Sequence, residues 1–294
     1  MTRVVLLGDA GLAHDGDSVL AAARQCAMEA SSKAVVLLGD NVYGNGKGEP
    51  AAWLHLGPYG GLPKPMAKGG VLGVAQLERQ LNAFTGLPLY VVPGNHDWYR
   101  GKSGVLDETR IVTEHGATWL PGPLCSNTIS PEVIAAKVQL VGLDSMGAHA
   151  GRCHPLRGMS PSYPVSVPMD RKTAWLIVAM HHPIRTIGKH HKSGDRSAKL
   201  LQDSGYRTIV VSGHDHLLAD LNSPTSDVFR QIVSGAGSVE KDENNSRVHD
   251  TQVGDHWSLD AGFVLLDQAE SGIVVHLVTI PSIGPVDSYP HGSP

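Results

Sequence analysis

The chain has 294 residues, 41% of them hydrophobic, and its 24 Lys+Arg against 28 Asp+Glu leave a net charge of -4. That length and apolar content suffice for a large core within one domain, and the weak negative charge excludes a general electrostatic grip on nucleic acid or an anionic membrane surface. Cys26, Cys125 and Cys153 are widely spaced and odd in number, which excludes a disulfide framework or a Cys-x-x-Cys zinc knuckle and fits a reducing compartment.

The chain runs from Met1-Thr2-Arg3 straight into an apolar segment, without the pattern of a secretory leader, and no apolar stretch reaches bilayer-spanning length. A soluble, cytoplasmic protein is expected. Val4 to Leu7 reads as a short buried strand, Asp17 to Glu29 as a helix opened by an Asp/Ser start, and Val35 to Leu38 as the next strand. The unit predicts parallel neighbouring strands joined by a right-handed crossover.

Glycine and proline dominate from Gly44 to Gly70, so a long lid-like loop is expected there. Gln76 to Phe84 reads as a helix and Leu89 to Val92 as a strand broken by Pro93-Gly94. Beyond it lie a strand over Val138 to Leu143, a proline- and glycine-rich flap over Ser145 to Arg171, and a strand over Trp175 to Ala179. Then come a helix over Ser197 to Gln202, strands over Thr208 to Val211 and Val228 to Val233, and a hairpin of Gly262 to Leu266 with Ile273 to Ile280. One catalytic domain over 1–284 is predicted, with a frayed tail over 285–294.

Five motifs sit where apolar strands end: Gly8-Asp9, Gly39-Asp40-Asn41-Val42-Tyr43, Gly94-Asn95-His96-Asp97, Val178-Ala179-Met180-His181-His182-Pro183, and Gly213-His214-Asp215-His216. Open α/β sheets bind ligands at strand C-termini, so these side chains are expected to converge. Two cations close together repel unless an anion is shared between them. Asp40 is the candidate bridge, Asp9 a ligand of the first metal, and Asn95 a neutral oxygen donor to the second. His181, His214 and His216 supply imidazoles, and the i, i+2 pair in a turn can serve opposite metals. Tyr43 is the unusual member, because a phenolate is a hard anionic donor suited to ferric iron. With Asp9 and Asp40 it would bring three negative charges against five positive for a ferric and a divalent ion.

Taken in order, Gly-Asp-x-Gly, Gly-Asp-x-x-Tyr, Gly-Asn-His-Asp, Val-x-x-His and Gly-His-x-His resemble the purple acid phosphatases, a branch of the calcineurin-like metallophosphoesterases. Many two-metal phosphoesterases carry a histidine two residues after the first aspartate, where this chain has Gly11. The resemblance implies an α/β (α+β) sandwich of two mixed β-sheets packed face to face, with flanking helices. It further implies Fe(III) at Asp9, Asp40, Tyr43 and His216, and Fe(II), Zn or Mn at Asp40, Asn95, His181 and His214. His96 and His190 match outer-sphere histidines of the family and become candidate general acids, with Asp97 orienting His96.

The implied reaction is hydrolysis of a small-molecule phosphomonoester by in-line attack of a metal-bound hydroxide. A phosphodiesterase or nucleotidase of the same superfamily is the alternative, and a catalytically silent metal-binding scaffold is the alternative of another class. Arg100, Lys102, Arg185 and Lys189 lie near the motif loops and are further candidates for gripping the substrate anion.

Overall fold

The structure is a computed structural model that describes residues 2–13, 17–43, 70–121, 132–135, 137–146, 175–190, 207–225, 228–238, 248–270 and 272–280. In chain order its first half carries β1 (Thr2–Leu7), α1 (Ser18–Glu29), β2 (Ala34–Leu38), α2 (Gly70–Ala83), β3 (Leu89–Val92), α3 (Gly101–Glu114), β4 (Thr118–Trp119), β5 (Glu132–Ala135) and β6 (Val138–Leu143). The second half carries β7 (Trp175–Met180), β8 (Arg207–Ser212), β9 (Leu218–Thr225), β10 (Val228–Ser234), β11 (His256–Ser258), β12 (Gly262–Ala269) and β13 (Gly272–Thr279).

These strands make two mixed sheets, ordered β13-β12-β1-β2-β3-β4 and β11-β9-β10-β8-β7-β6-β5. In the first sheet β1 to β4 run parallel and the β12 and β13 edge is antiparallel, whereas the second has a parallel centre, β10-β8-β7-β6, between antiparallel edges. The predicted sandwich is therefore the observed fold. The expected parallel pairing of the first two strands holds, with Val5 opposite Val35. Asp17 caps α1, its Oδ1 accepting from Val19 N at 2.9 Å and Leu20 N at 3.1 Å, a contribution of about 1 kcal/mol.

Strand alternation explains why the central strands are apolar throughout. Val4, Leu6, Val36, Leu38 and Val92 face the second sheet, where they pack with Leu140, Ile177, Ala179, Ile209 and Val211. The intervening Val5, Leu7, Val35, Leu37 and Val91 face the helices, against Val19, Leu20, Ala23, Leu77, Leu81 and Val105. A strand buried on both faces leaves no polar position until it ends, so the first polar residues fall at the strand termini.

Some elements differ from the sequence reading. The helix expected from Gln76 begins at Gly70, so that glycine opens a helix rather than closing a loop. Helix α3 and strands β4, β5, β9 and β11 were not anticipated. Residues 44–69 of the loop expected over 44–70, residues 147–171 of the flap expected over 145–171, the helix expected over 197–202 and the tail over 285–294 lie outside the described residues.

Candidate metal centre

Five loops deliver the predicted side chains to one place. β1 leads into Asp9, β2 into Asp40 to Tyr43, β3 into Asn95 to Asp97, β7 into His181 and β8 into His214 to His216. The parallel registers of β1, β2 and β3, and of β7 and β8, bring these ends together within each sheet. Asp9, Asp40 and His214 have φ of 60°, 51° and 72°. This left-handed backbone costs an L residue on the order of 1–2 kcal/mol, and it persists only where the surroundings impose it.

Backbone bonds across the loops supply that constraint. Asp9 N donates to Gly39 O at 3.0 Å, Gly11 N to Asp40 O at 3.1 Å, Gly8 N to Ser234 O at 2.7 Å and Gly213 N to His181 O at 3.1 Å. Gly94 passes so close to Asp40 that a Cβ there would collide with its backbone N and its Oδ1.

Ligand atoms of Asp9, Asp40 and His181 all lie within 4.8 Å of one another, and all three residues are buried. Around Asp9, Oδ1 is 3.3 Å from the Tyr43 hydroxyl and 3.4 Å from His216 Nε2, while Oδ2 accepts His214 N at 2.7 Å. Around Asp40, Oδ1 is 3.3 Å from His181 Nε2 and accepts His96 N at 2.8 Å, while Oδ2 is 3.7 Å from His96 Nε2. Asn95 Oδ1 lies 2.9 Å from the same His181 nitrogen. The His214 ring stands 5.0 Å from that of His181 and 4.2 Å from that of His190, and the Tyr43 ring lies 4.4 Å from His96. Each of the seven predicted ligands, together with His96 and His190, thus touches this cluster directly.

The donor set fits cations. His181 Nδ1 sits 2.9 Å from the Leu38 carbonyl oxygen and can only donate to it, so Nε2 is the ring atom aimed at the carboxylates. With a proton on it, that nitrogen can donate to the oxygens of Asn95 and Asp40; without one, it joins them as an electron-pair donor that a cation can share. Burial opposes charge on the His181 ring, yet the adjacent Asp40 carboxylate lifts its pKa to about 9. Burial likewise opposes charge on Asp40, but His181 and His96 hold its carboxyl below the ordinary range. Burial and the Asp9 and Asp40 carboxylates push the Tyr43 phenol upward, so only a strong local cation would favour its phenolate.

Among family models, that of the calcineurin-like phosphoesterases matches residues 2–218. The chain belongs to this family. A dimetal phosphatase from Danio rerio has a similar structure, with 13% identity, a TM-score of 0.53 and coverage of 95% of this chain and 98% of that one. A second solved chain, 11% identical, gives a TM-score of 0.54 over 94% of this chain and 98% of that one. The TT1561 protein of Thermus thermophilus is 12% identical, with a TM-score of 0.43 over 80% of this chain and 89% of that one. The first two support the shared fold. A search of curated protein sequences gives no match.

In this calcineurin-like phosphoesterase further residues build the site around the candidate ligands, Gln76, Gln80 and Ser145 from outside the five motifs. Gln76 Oε1, on α2, accepts Tyr43 N at 2.7 Å, and Gln80 Nε2 donates to Asn41 O at 2.7 Å. Two glutamines at i, i+4 on one helix face were the available signal. Asp97 ties the β2 loop to the β3 loop: its Oδ1 accepts Val42 N at 3.0 Å, and its Oδ2 accepts Gly94 N at 2.5 Å and Asn41 Nδ2 at 3.1 Å. Burial and the nearby Asp40 charge raise the Asp97 carboxyl to about 7. Ser145 Oγ and His182 Nδ1 are 2.8 Å apart, and the His182 ring packs 4.4 Å from that of His214. Arg185, read as an anion grip, is committed elsewhere. Its guanidinium forks onto Asp255 at 2.6 and 3.0 Å and donates to Asp250 O. No described helix is long and apolar enough to cross a membrane.

Proposed function

We propose that this phosphoesterase is a phosphomonoesterase of the purple acid phosphatase type, acting in the cytoplasm on a small-molecule phosphate ester. A ferric ion would be held by Asp9, Asp40, Tyr43 and His216, and Fe(II), Zn or Mn by Asp40, Asn95, His181 and His214. The observation that carries this reading is the meeting of a phenol and an imidazole at one oxygen of Asp9, 3.3 and 3.4 Å away. A Cβ on Gly11 would lie 2.8 Å from Tyr43 Cδ2, so the bare backbone there makes room for the phenol ring. Phenol, carboxylate and imidazole together are the hard, anionic set that ferric iron prefers.

When bound, the metal pair would acidify a water and supply the hydroxide that attacks phosphorus in line with the leaving oxygen. The chain's own residues complete the reaction. His96, tilted against Tyr43 and beside Asp40, and His190, tilted against His214, would serve as proton donors to the departing alkoxide. Burial lowers the pKa of both imidazoles, which makes each the stronger acid once protonated. Asp97 keeps His96 in place through the loop that it closes.

Metal analysis with a visible spectrum tests the reading. Iron in the purified protein, together with a visible band that disappears in Tyr43→Phe while the metals stay bound, is the expected result. A colourless, active protein holding two zinc or two manganese ions per chain would overturn it.

A further inference from the structure

Asp215, between His214 and His216, belongs to neither proposed ligand set, yet it is fully buried. Its Oδ1 accepts the His190 backbone N–H at 3.0 Å, and its Oδ2 accepts the Thr186 hydroxyl. Gly188 N donates to Thr186 Oγ1 at 3.3 Å, closing the turn around the same carboxylate. The chain crosses this group so closely that a Cβ on Gly188 would lie 2.8 Å from Asp215 Cγ and 2.9 Å from its Oδ2. On the other side, His249 N donates to Ile187 O at 2.7 Å.

The backbone of Asp215 is equally constrained, with its N bonded to Gly213 O at 2.9 Å and its O to Leu217 N at 2.7 Å. One short side chain therefore spans from the turn that presents His214 and His216 to the loop that presents His190. A buried carboxylate is tolerated because donors meet both of its oxygens. A two-carbon reach leaves little play in the distance between the two loops.

We propose that Asp215 is a positioning residue: acting through Thr186, Gly188 and the His190 backbone, it sets where the His190 ring stands over the metal centre. It thereby governs proton delivery to the leaving group. This inference rests on the phosphomonoesterase reading above. It predicts that loosening the clamp costs most where the leaving oxygen most needs a proton, as in an alkyl phosphate, and least for a stable phenolate.

The experiment compares metal-loaded wild type with Asp215→Ala, Asp215→Asn, Gly188→Ala, Thr186→Val, His190→Ala and the Asp215→Ala/His190→Ala double variant. Turnover of ethyl phosphate and 4-nitrophenyl phosphate is measured, together with metal content. Asp215→Ala and Gly188→Ala should lower kcat for the alkyl ester by about 10–100-fold. For the nitrophenyl ester kcat, and KM for both esters, should stay within about threefold. Asp215→Asn keeps an oxygen for the His190 N–H and should restore turnover to within about fivefold of wild type. The double variant should be no slower than His190→Ala.

Equal slowing of both esters, or a double variant whose losses multiply, would overturn the clamp. Should Asp215→Ala lose metal or solubility, Gly188→Ala and Thr186→Val decide the matter with the carboxylate intact. Wild-type protein inert toward both esters overturns the functional reading and the clamp together, whereas an active wild type with uniform slowing in the variants overturns the clamp alone.

Discussion

The two sheets bring different chemistry to the same mouth. The first ends its strands in Asp9, Asp40, Tyr43 and Asn95, which are oxygen donors. The second ends its strands in His181, His214 and His216, which are nitrogen donors. Asp9 and Asp40 sit on left-handed corners pinned by neighbouring backbone, and His181 has its tautomer set by a carbonyl reaching across from Leu38 in the first sheet. One half thus brings carboxylates, a phenol and an amide to the cluster, and the other brings imidazoles. Each depends on the other for its shape.

The sharpest way to break this comparison is to remove one member from each half. Asp40→Ala deletes the carboxylate proposed as the bridge and should lower kcat/KM by at least about 10³-fold. Metal analysis should find both ions depleted. His181→Ala should instead deplete only the divalent ion, so that a single metal per chain remains. If both variants lost both metals equally, the division of labour between the sheets would be wrong.

A change in the seam should be felt more evenly. Leu6 is fully buried between the sheets, and Leu6→Ala should cost about 2–5 kcal/mol in urea unfolding. Because the seam carries both halves, activity should be lost together with global structure as urea rises, not ahead of it.

The smallest effect concerns the strap from Arg185 to Asp255, which holds the loop between the second sheet and His190. Burial opposes charge on Asp255, but the hydrogen bond from Arg185 and those from Asn222 N and Gln252 N hold its carboxyl at about 2, against an ordinary 3.8. A depressed carboxyl stabilises the fold above its unfolded value and ceases to do so as pH falls through the folded one. Urea midpoints between pH 5 and pH 2.5 should therefore fall less steeply in Arg185→Ala than in wild type. Parallel slopes would show that the strap contributes nothing to folding.

How far the sequence is legible follows from burial. β1, β2, β3, β7 and β8 are apolar on both faces, so each run stops abruptly where the site begins, and each motif reads plainly at its end. Helix α3 opens Gly101-Lys102-Ser103-Gly104, where two glycines and a serine disfavour a helix, and its buried Val105, Ile111 and Val112 are too few for a clear 3.6-residue period. β9 carries Asn222-Ser223-Pro224, which resembles a turn, yet pairing of Asn222 and Thr225 with β10 keeps it extended. In the site the donors were legible because they share short motifs. Their supports were not, because Gln76, Thr186 and Gly188 act through one or two hydrogen bonds or an absent Cβ, neither of which leaves a pattern in one sequence.

The positive φ angles at Asp9, Asp40 and His214 bear on any attempt to engineer this protein. Glycine relaxes such corners, so a redesign ranked by melting temperature alone would favour it at these three places. A hardier variant obtained that way would have dismantled its own chemistry. Thermal robustness must be sought in the seam and the helix faces instead, and the three bent corners left as they are.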